Sequence, residues 1–190
     1  MVACDIKDPS QPMVRQSQMA KPDDFLSNLR KALRQTAWRR GPVVGQLPHG
    51  GTFRLEMDFH NTPKILSVTL NPHAMPGKPL YNRFKAEFMT AEDKTLLVCM
   101  HGTDVKNIPS IMKDGLLPER RRRHRFGAGE YFSTNVEYSL HFNRNSTRQM
   151  KRMCVFVVLN GWTHRHSNDQ VLVNAKPETQ LPIAIIKFKK

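Results

Sequence analysis

Read only as apolar and polar positions, the chain is weakly patterned at its start and strongly patterned in its second half. From Met1 to Pro22, Pro, Gln and Ser fall without periodicity, which predicts a flexible lead-in. Asp23 or Asp24 then stands where a helix cap is wanted. Phe25, Leu29, Ala32, Leu33 and Trp38 recur near helical spacing with Arg and Lys on the other face, so a helix is expected from Phe25 to about Arg39. Gly41-Pro42 ends it. Gly50-Gly51 predicts a hairpin turn between Val43–Leu47 and Thr52–Phe59. In the latter, Phe53, Leu55, Met57 and Phe59 alternate with polar residues, the period of a half-buried strand. Ile65–Leu70 reads as a strand, and Asn71–Pro79, with three prolines and a glycine, as a linker or long loop. Leu80–Met89 reads as a short helix.

Beyond residue 95 the pattern sharpens. Leu96–Met100 is an apolar strand running into His101-Gly102-Thr103. Val105–Asp114 reads as a helix with Ile108, Ile111 and Met112 on its apolar side and Gly115 at its stop; Pro109 sits in the first turn, where a missing N–H costs little. Further strands are expected at Met153–Leu159, Gln170–Asn174 and Ile183–Phe188, and a helix at Asn135–Phe142. This succession predicts an α+β fold built on a split, mixed β-sheet flanked by short helices. The chain divides into three stretches: a lead-in over 1–22, an N-terminal part over 23–95, and a core over 96–190 on which the N-terminal part packs or whose sheet it extends.

Composition narrows the classes. With 39% hydrophobic residues the chain can bury a core. No apolar run reaches the roughly 18 residues that a membrane span needs, nor does the N-terminus carry a secretory-type apolar segment, so an intracellular protein, cytoplasmic or nuclear, is expected. Cys4, Cys99 and Cys154 are too few and too scattered for a disulfide framework or a zinc site; no metal is expected. Cys99 and Cys154 sit in strand-like runs and read as core thiols. The 30 Lys+Arg against 16 Asp+Glu give a formal charge of +14, which favours polyanions or a pyrophosphate-bearing ligand as partners without choosing among them.

Four segments carry the chemistry in order: LLVCMHGT (96–103), IPSIMKDGL (108–116), FGAGEYFS (126–133) and EYSLHF (137–142). Together they resemble the catalytic domain of the poly(ADP-ribose) polymerase family, in which a strand ends in His-Gly-Thr/Ser and a Phe-Gly-x-Gly-x-Tyr-Phe segment comes about 25 residues later. The resemblance continues through MCVFVVLNGW (153–162) and covers about half the chain. It implies NAD⁺ as co-substrate. Breaking the nicotinamide–ribose bond builds positive charge on the ribose, so such a site must pin both ends and exclude water. By the resemblance, His101 bonds the adenosine ribose, and Gly102 offers its backbone to the nicotinamide amide, beside Thr103. Tyr131 stacks beneath the nicotinamide, Phe142 replaces the family's usual second Tyr, and Ser139 bonds the amide from the same helical face as Phe142.

The third catalytic position departs from the family. Where polymerising members carry Glu, the strand pattern places Gln170, or Val171 in a register one residue later. Gln can hold a ribose hydroxyl but cannot take a proton at neutral pH. The resemblance with a His101-Tyr131-Gln170 set therefore implies transfer of a single ADP-ribose to a protein or nucleic-acid acceptor, and not chain growth. Glu119 is followed by five arginines in six residues, ending at Arg125. One or two of them, Arg125 first, are expected to meet the pyrophosphate; nucleic-acid contact and a solvated charge run are the alternatives. HGTDVKNIPSIMKDGL also resembles NAD⁺-dependent RNA 2′-phosphotransferases, which lack the Tyr-Phe-Ser platform. A catalytically inactive binding module on the same scaffold is the third reading.

Overall fold

The computed structural model describes residues 43–46, 52–55, 65–121, 125–143, 150–166 and 171–189. The helix expected over Phe25–Arg39 and the strand positions Met57 and Phe59 lie outside them. The described elements are β1 (Val43–Gln46), β2 (Thr52–Leu55), β3 (Ile65–Leu70), α1 (Pro79–Thr90), β4 (Leu96–His101), α2 (Ile108–Asp114), β5 (Glu130–Phe132), α3 (Val136–Leu140), β6 (Met150–Leu159), β7 (Thr163–His166), β8 (Val171–Asn174) and β9 (Gln180–Lys189). Two sheets result: a six-stranded one in the order β1-β2-β4-β6-β9-β3, and a three-stranded one in the order β5-β8-β7. The larger is mixed, since β2 runs parallel to β4 while β4, β6 and β9 pair antiparallel. The α+β fold with a split sheet is as the sequence predicts.

Central strands read as unbroken apolar runs because both of their faces are covered. Leu96, Val98 and Met100 of β4, with Met153, Val155 and Val157 of β6, pack against Leu80, Tyr81, Phe84 and Phe88 of α1. The alternate residues Leu97, Cys99, Cys154, Phe156 and Val158 pack instead against Ile108, Ile111 and Met112 of α2 and against Phe132 and Leu172 of the small sheet. Both thiols are buried, as expected, and burial pushes the pKa of Cys154 up to about 12 and that of Cys99 well above its ordinary value. In β9 the register slips opposite Val155 and Phe156, so Ile183 bulges beside Pro182, a residue with no N–H to give to the ladder.

The stretch Asn71–Pro79 is a loop, the second of its two readings, and not a linker. Pro72–Ala74 form a 3₁₀ turn, Ala74 is fully buried, and Asn71 ties two distant elements together. Its side-chain amide donates to Met112 O at 2.8 Å and to Pro182 O at 2.7 Å, while its Oδ1 accepts from His73 N. The prolines mark a tight connection pinned by that asparagine. Among the described residues no helix is long and apolar enough to cross a membrane.

The two sheets meet at one bridge. Met100 and Ser133 exchange both main-chain hydrogen bonds, at 2.8 and 2.9 Å, and so join β4 to the residue after β5. One residue further along β4 stands His101.

Candidate functional site around the end of β4

His101 pairs with Cys154 at the last rung of the β4–β6 ladder. Pleat alternation puts it on the face of Leu97 and Cys99, towards the small sheet. Its ring lies against Phe132, with centroids 5.8 Å apart, and edge-on to Phe156 at 6.0 Å. His101 Nδ1 stands 2.9 Å from the main-chain oxygen of Tyr131. A carbonyl only accepts, so Nδ1 carries the proton, and in the neutral ring Nε2 is left as a bare acceptor. Burial lowers the pKa of His101 below the ordinary imidazole value, opposed in part by the Tyr131 hydrogen bond and by the Glu130 carboxylate. The neutral, acceptor form is therefore the favoured one at neutral pH.

Gly102 comes next, where β4 ends against α3. A Cβ built on it would sit 1.9 Å from Ser139 O and 3.1 Å from Phe142 Cβ, so this position requires the absence of a side chain. Among the described residues, no loop or cap main-chain hydrogen bond involves Gly102. Ser139 is buried, and among the described residues its hydroxyl reaches Met100 O, at a long 3.5 Å. Asn135 caps α3 by accepting from Tyr138 N at 2.9 Å. The helix stops at Leu140, earlier than the expected Phe142, and Phe142 lies in the turn beyond it, its N–H bonded back to Ser139 O at 3.2 Å. Ser139 and Phe142 are thus joined by a turn and not by a shared helical face. Phe142 is 42% exposed, its ring beside that of Tyr138 with centroids 5.5 Å apart.

Tyr131 is held from its other end. Its hydroxyl accepts from Phe126 N and donates to Gly127 O, both at 2.9 Å. The FGAG segment folds back over the tyrosine for two local reasons. Gly127 has φ +98°, a conformation that L side chains rarely adopt. At Gly129 a Cβ would meet Val173 Cγ1 at 2.7 Å and Asn174 O at 3.0 Å, so the segment can lie flat on β8 only as glycine. Phe126 stacks on His166 of β7, with centroids 5.2 Å apart and planes 18° from parallel.

The structure thus brings His101, Gly102, Tyr131, Ser139 and Phe142 around the end of β4. Thr103 Oγ1 accepts from Asn107 Nδ2 at 3.2 Å, at the start of the turn into α2. Arg125 lies over the Phe126 ring, 5.2 Å from its centroid. Gln170 lies outside the described residues, as do Arg122, Arg123 and His124; Val171, the alternative register, is buried at the start of β8. Two residues to which the sequence assigns no individual role belong here. Glu130 is buried beside Tyr131 and bonded to Arg121. The signal for Glu130 is a charged residue inside an otherwise apolar strand; Arg121 is masked by the identical arginines around it.

Chemically, a side-chain-free backbone at Gly102, a loosely held hydroxyl at Ser139 and an exposed ring at Phe142 can receive a planar, amide-bearing heterocycle. A bare imidazole nitrogen fits a sugar hydroxyl. No group of three or more His, Cys, Asp or Glu side chains able to hold a metal occurs among the described residues. A family model described as "Poly(ADP-ribose) polymerase catalytic domain" matches residues 75–184. No curated protein matches the chain.

Proposed function

The chain belongs to the poly(ADP-ribose) polymerase catalytic-domain family, and on that premise we propose that it transfers single ADP-ribose units from NAD⁺ to a protein or nucleic-acid acceptor, with release of nicotinamide. The observation that carries the reading is the coupling of His101 to Tyr131 directly beside a glycine packed so closely on Ser139 and Phe142 that no side chain fits there. Gly102 and Ser139 hold the carboxamide, while Tyr131 and Phe142 flank the ring. His101 Nε2 accepts from an adenosine ribose hydroxyl and so fixes the far half of the dinucleotide. NAD⁺ supplies the chemistry: as the C–N bond breaks, the ring departs neutral and the ribose becomes cationic. The protein's share is to orient both halves and keep water from the cationic carbon.

Single transfer, in preference to polymerisation, rests on the residue at the third position. Gln170, or Val171 one step on, has no carboxylate to activate the hydroxyl of a growing chain. An acceptor bringing its own carboxylate or phosphate attacks the ribose carbon as an anion when nicotinamide leaves, and so needs no base. Incubation with adenine-labelled NAD⁺, with nicotinamide release and product mass as readouts, tests this. Wild type should release nicotinamide and add single ADP-ribose units, and His101→Ala and Tyr131→Ala should not. A wild-type protein that neither binds nor cleaves NAD⁺ overturns the reading.

A further inference from the structure

Of the arginines after Glu119, Arg121 is already engaged within the fold. Its Nε donates to Glu130 Oε1 at 2.8 Å and its Nη2 donates to Ala175 O at 2.9 Å. The two paired side chains are 15% and 10% exposed, well shielded from solvent for an Arg–Glu pair. Glu130 stands opposite Asn174 in the β5–β8 ladder, directly before Tyr131. One guanidinium therefore bridges β5 and the end of β8 from the segment that leads into the site.

The same segment is fixed again a few residues later. Phe126 N–H and Gly127 C=O grip the Tyr131 hydroxyl, the Phe126 ring rests on His166, and Gly129 lies against Val173. The path from helix α2 to β5 is thus held at Arg121 and again at Phe126–Gly129, on two sides of one three-residue strand. We propose that Glu130 and Arg121 form a positioning lock for NAD⁺ binding, holding the 125–129 segment, and through it the Tyr131 ring, in the geometry the co-substrate needs. This rests on the NAD⁺ reading above. Neither residue touches reacting atoms in the proposal; both act through Tyr131 and its covering segment. The Glu130 carboxylate also favours the protonated form of His101, so the lock and the site share electrostatics as well as backbone.

Two measurements on the intact chain test it, one independent of NAD⁺. Exchange of the Phe126 amide hydrogen, followed by NMR, reads the grip on Tyr131 directly. Glu130→Gln should speed that exchange at least several-fold, with amides in the β4–β6 ladder unchanged, and the reversed pair Arg121→Glu/Glu130→Arg should recover much of the protection. NAD⁺ affinity by calorimetry should weaken about tenfold in Glu130→Gln, the scale of one lost charge-assisted contact. Turnover at saturating NAD⁺ should hold, so that KM moves and kcat does not. Unchanged Phe126 exchange in Glu130→Gln overturns the lock whether or not NAD⁺ binds. Faster exchange with unchanged NAD⁺ affinity overturns its role in binding. Wild type that does not bind NAD⁺ overturns the functional reading, and with it the role in binding.

Discussion

His101 Nδ1 donates to the carbonyl oxygen of Tyr131 across 2.9 Å, a side-chain bond that spans the split between the two sheets beside the Met100–Ser133 bridge. It fixes the imidazole tautomer and also sets the distance between the strand that carries His101 and the one that carries Tyr131. Neither residue can shift without the other.

Burial of that ring shapes the pH dependence of stability, and the bond to Tyr131 opposes it in part. Burial holds the pKa of folded His101 below the ordinary value of about 6.5, so the unfolded chain binds this proton more tightly. The contribution of His101 is complete above about pH 6.5 and is lost as pH falls from there through the folded pKa. Urea unfolding at about pH 7.5 and about pH 5.5 should show a larger loss for wild type than for His101→Gln. Equal losses would place the titration elsewhere.

Gly102→Ala should be severely disruptive for a single methyl. The new Cβ would fall 1.9 Å from Ser139 O, and backbone cannot yield as a flexible side chain can. We expect a loss of about 1–3 kcal/mol or more, together with loss of NAD⁺ binding. Gly161→Ala is the control: its nearest neighbour is Asp93 Cβ at 3.5 Å, an ordinary contact. Thermal unfolding of the two variants side by side decides the matter, and comparable midpoints would contradict the packing at Gly102.

Tyr131→Phe keeps the ring and removes the hydroxyl that joins Phe126 N to Gly127 O. The cost should be about 1–2 kcal/mol, because a donor and an acceptor in a part-buried place lose their partner. NAD⁺ affinity should fall while the His101 contact, made to the main chain, persists. Chemical denaturation and calorimetry on the variant give both quantities.

Gln170→Glu tests the register of the third position. If residue 170 faces the ribose, the carboxylate should permit repeated addition, seen as a ladder of products with labelled NAD⁺. Products that stay single, with NAD⁺ binding intact, would move the position to Val171 or remove it from the reaction.

Much of the fold was legible because the deciding forces are local. β4 and β6 announce themselves as apolar runs too short for helices, and Pro109 and Gly115 bracket α2 within a few residues of its apolar stripe. Asn71–Pro79 left linker and loop undecided for the same reason: three prolines describe local stiffness, whereas Asn71 is held by Met112 and Pro182, 41 and 111 positions away. The end of α3 was misplaced because Phe142 is drawn into a turn against the end of β4, a contact no helical periodicity encodes.

The candidate site divides along the same line. The sequence by itself determined the α+β class, the two core thiols, and the ordered motifs that mark out His101, Gly102, Tyr131, Ser139 and Phe142, since spacing along the chain carries that information. Only the tertiary structure decided that Gly102 must be bare against Ser139, that the His101 proton sits on Nδ1, and that Arg121 alone among its described neighbours is paired with Glu130 and Ala175. Identical arginines in a row are equivalent to any local rule. They become distinct only when strands remote in sequence place one carboxylate and one carbonyl within reach of one of them.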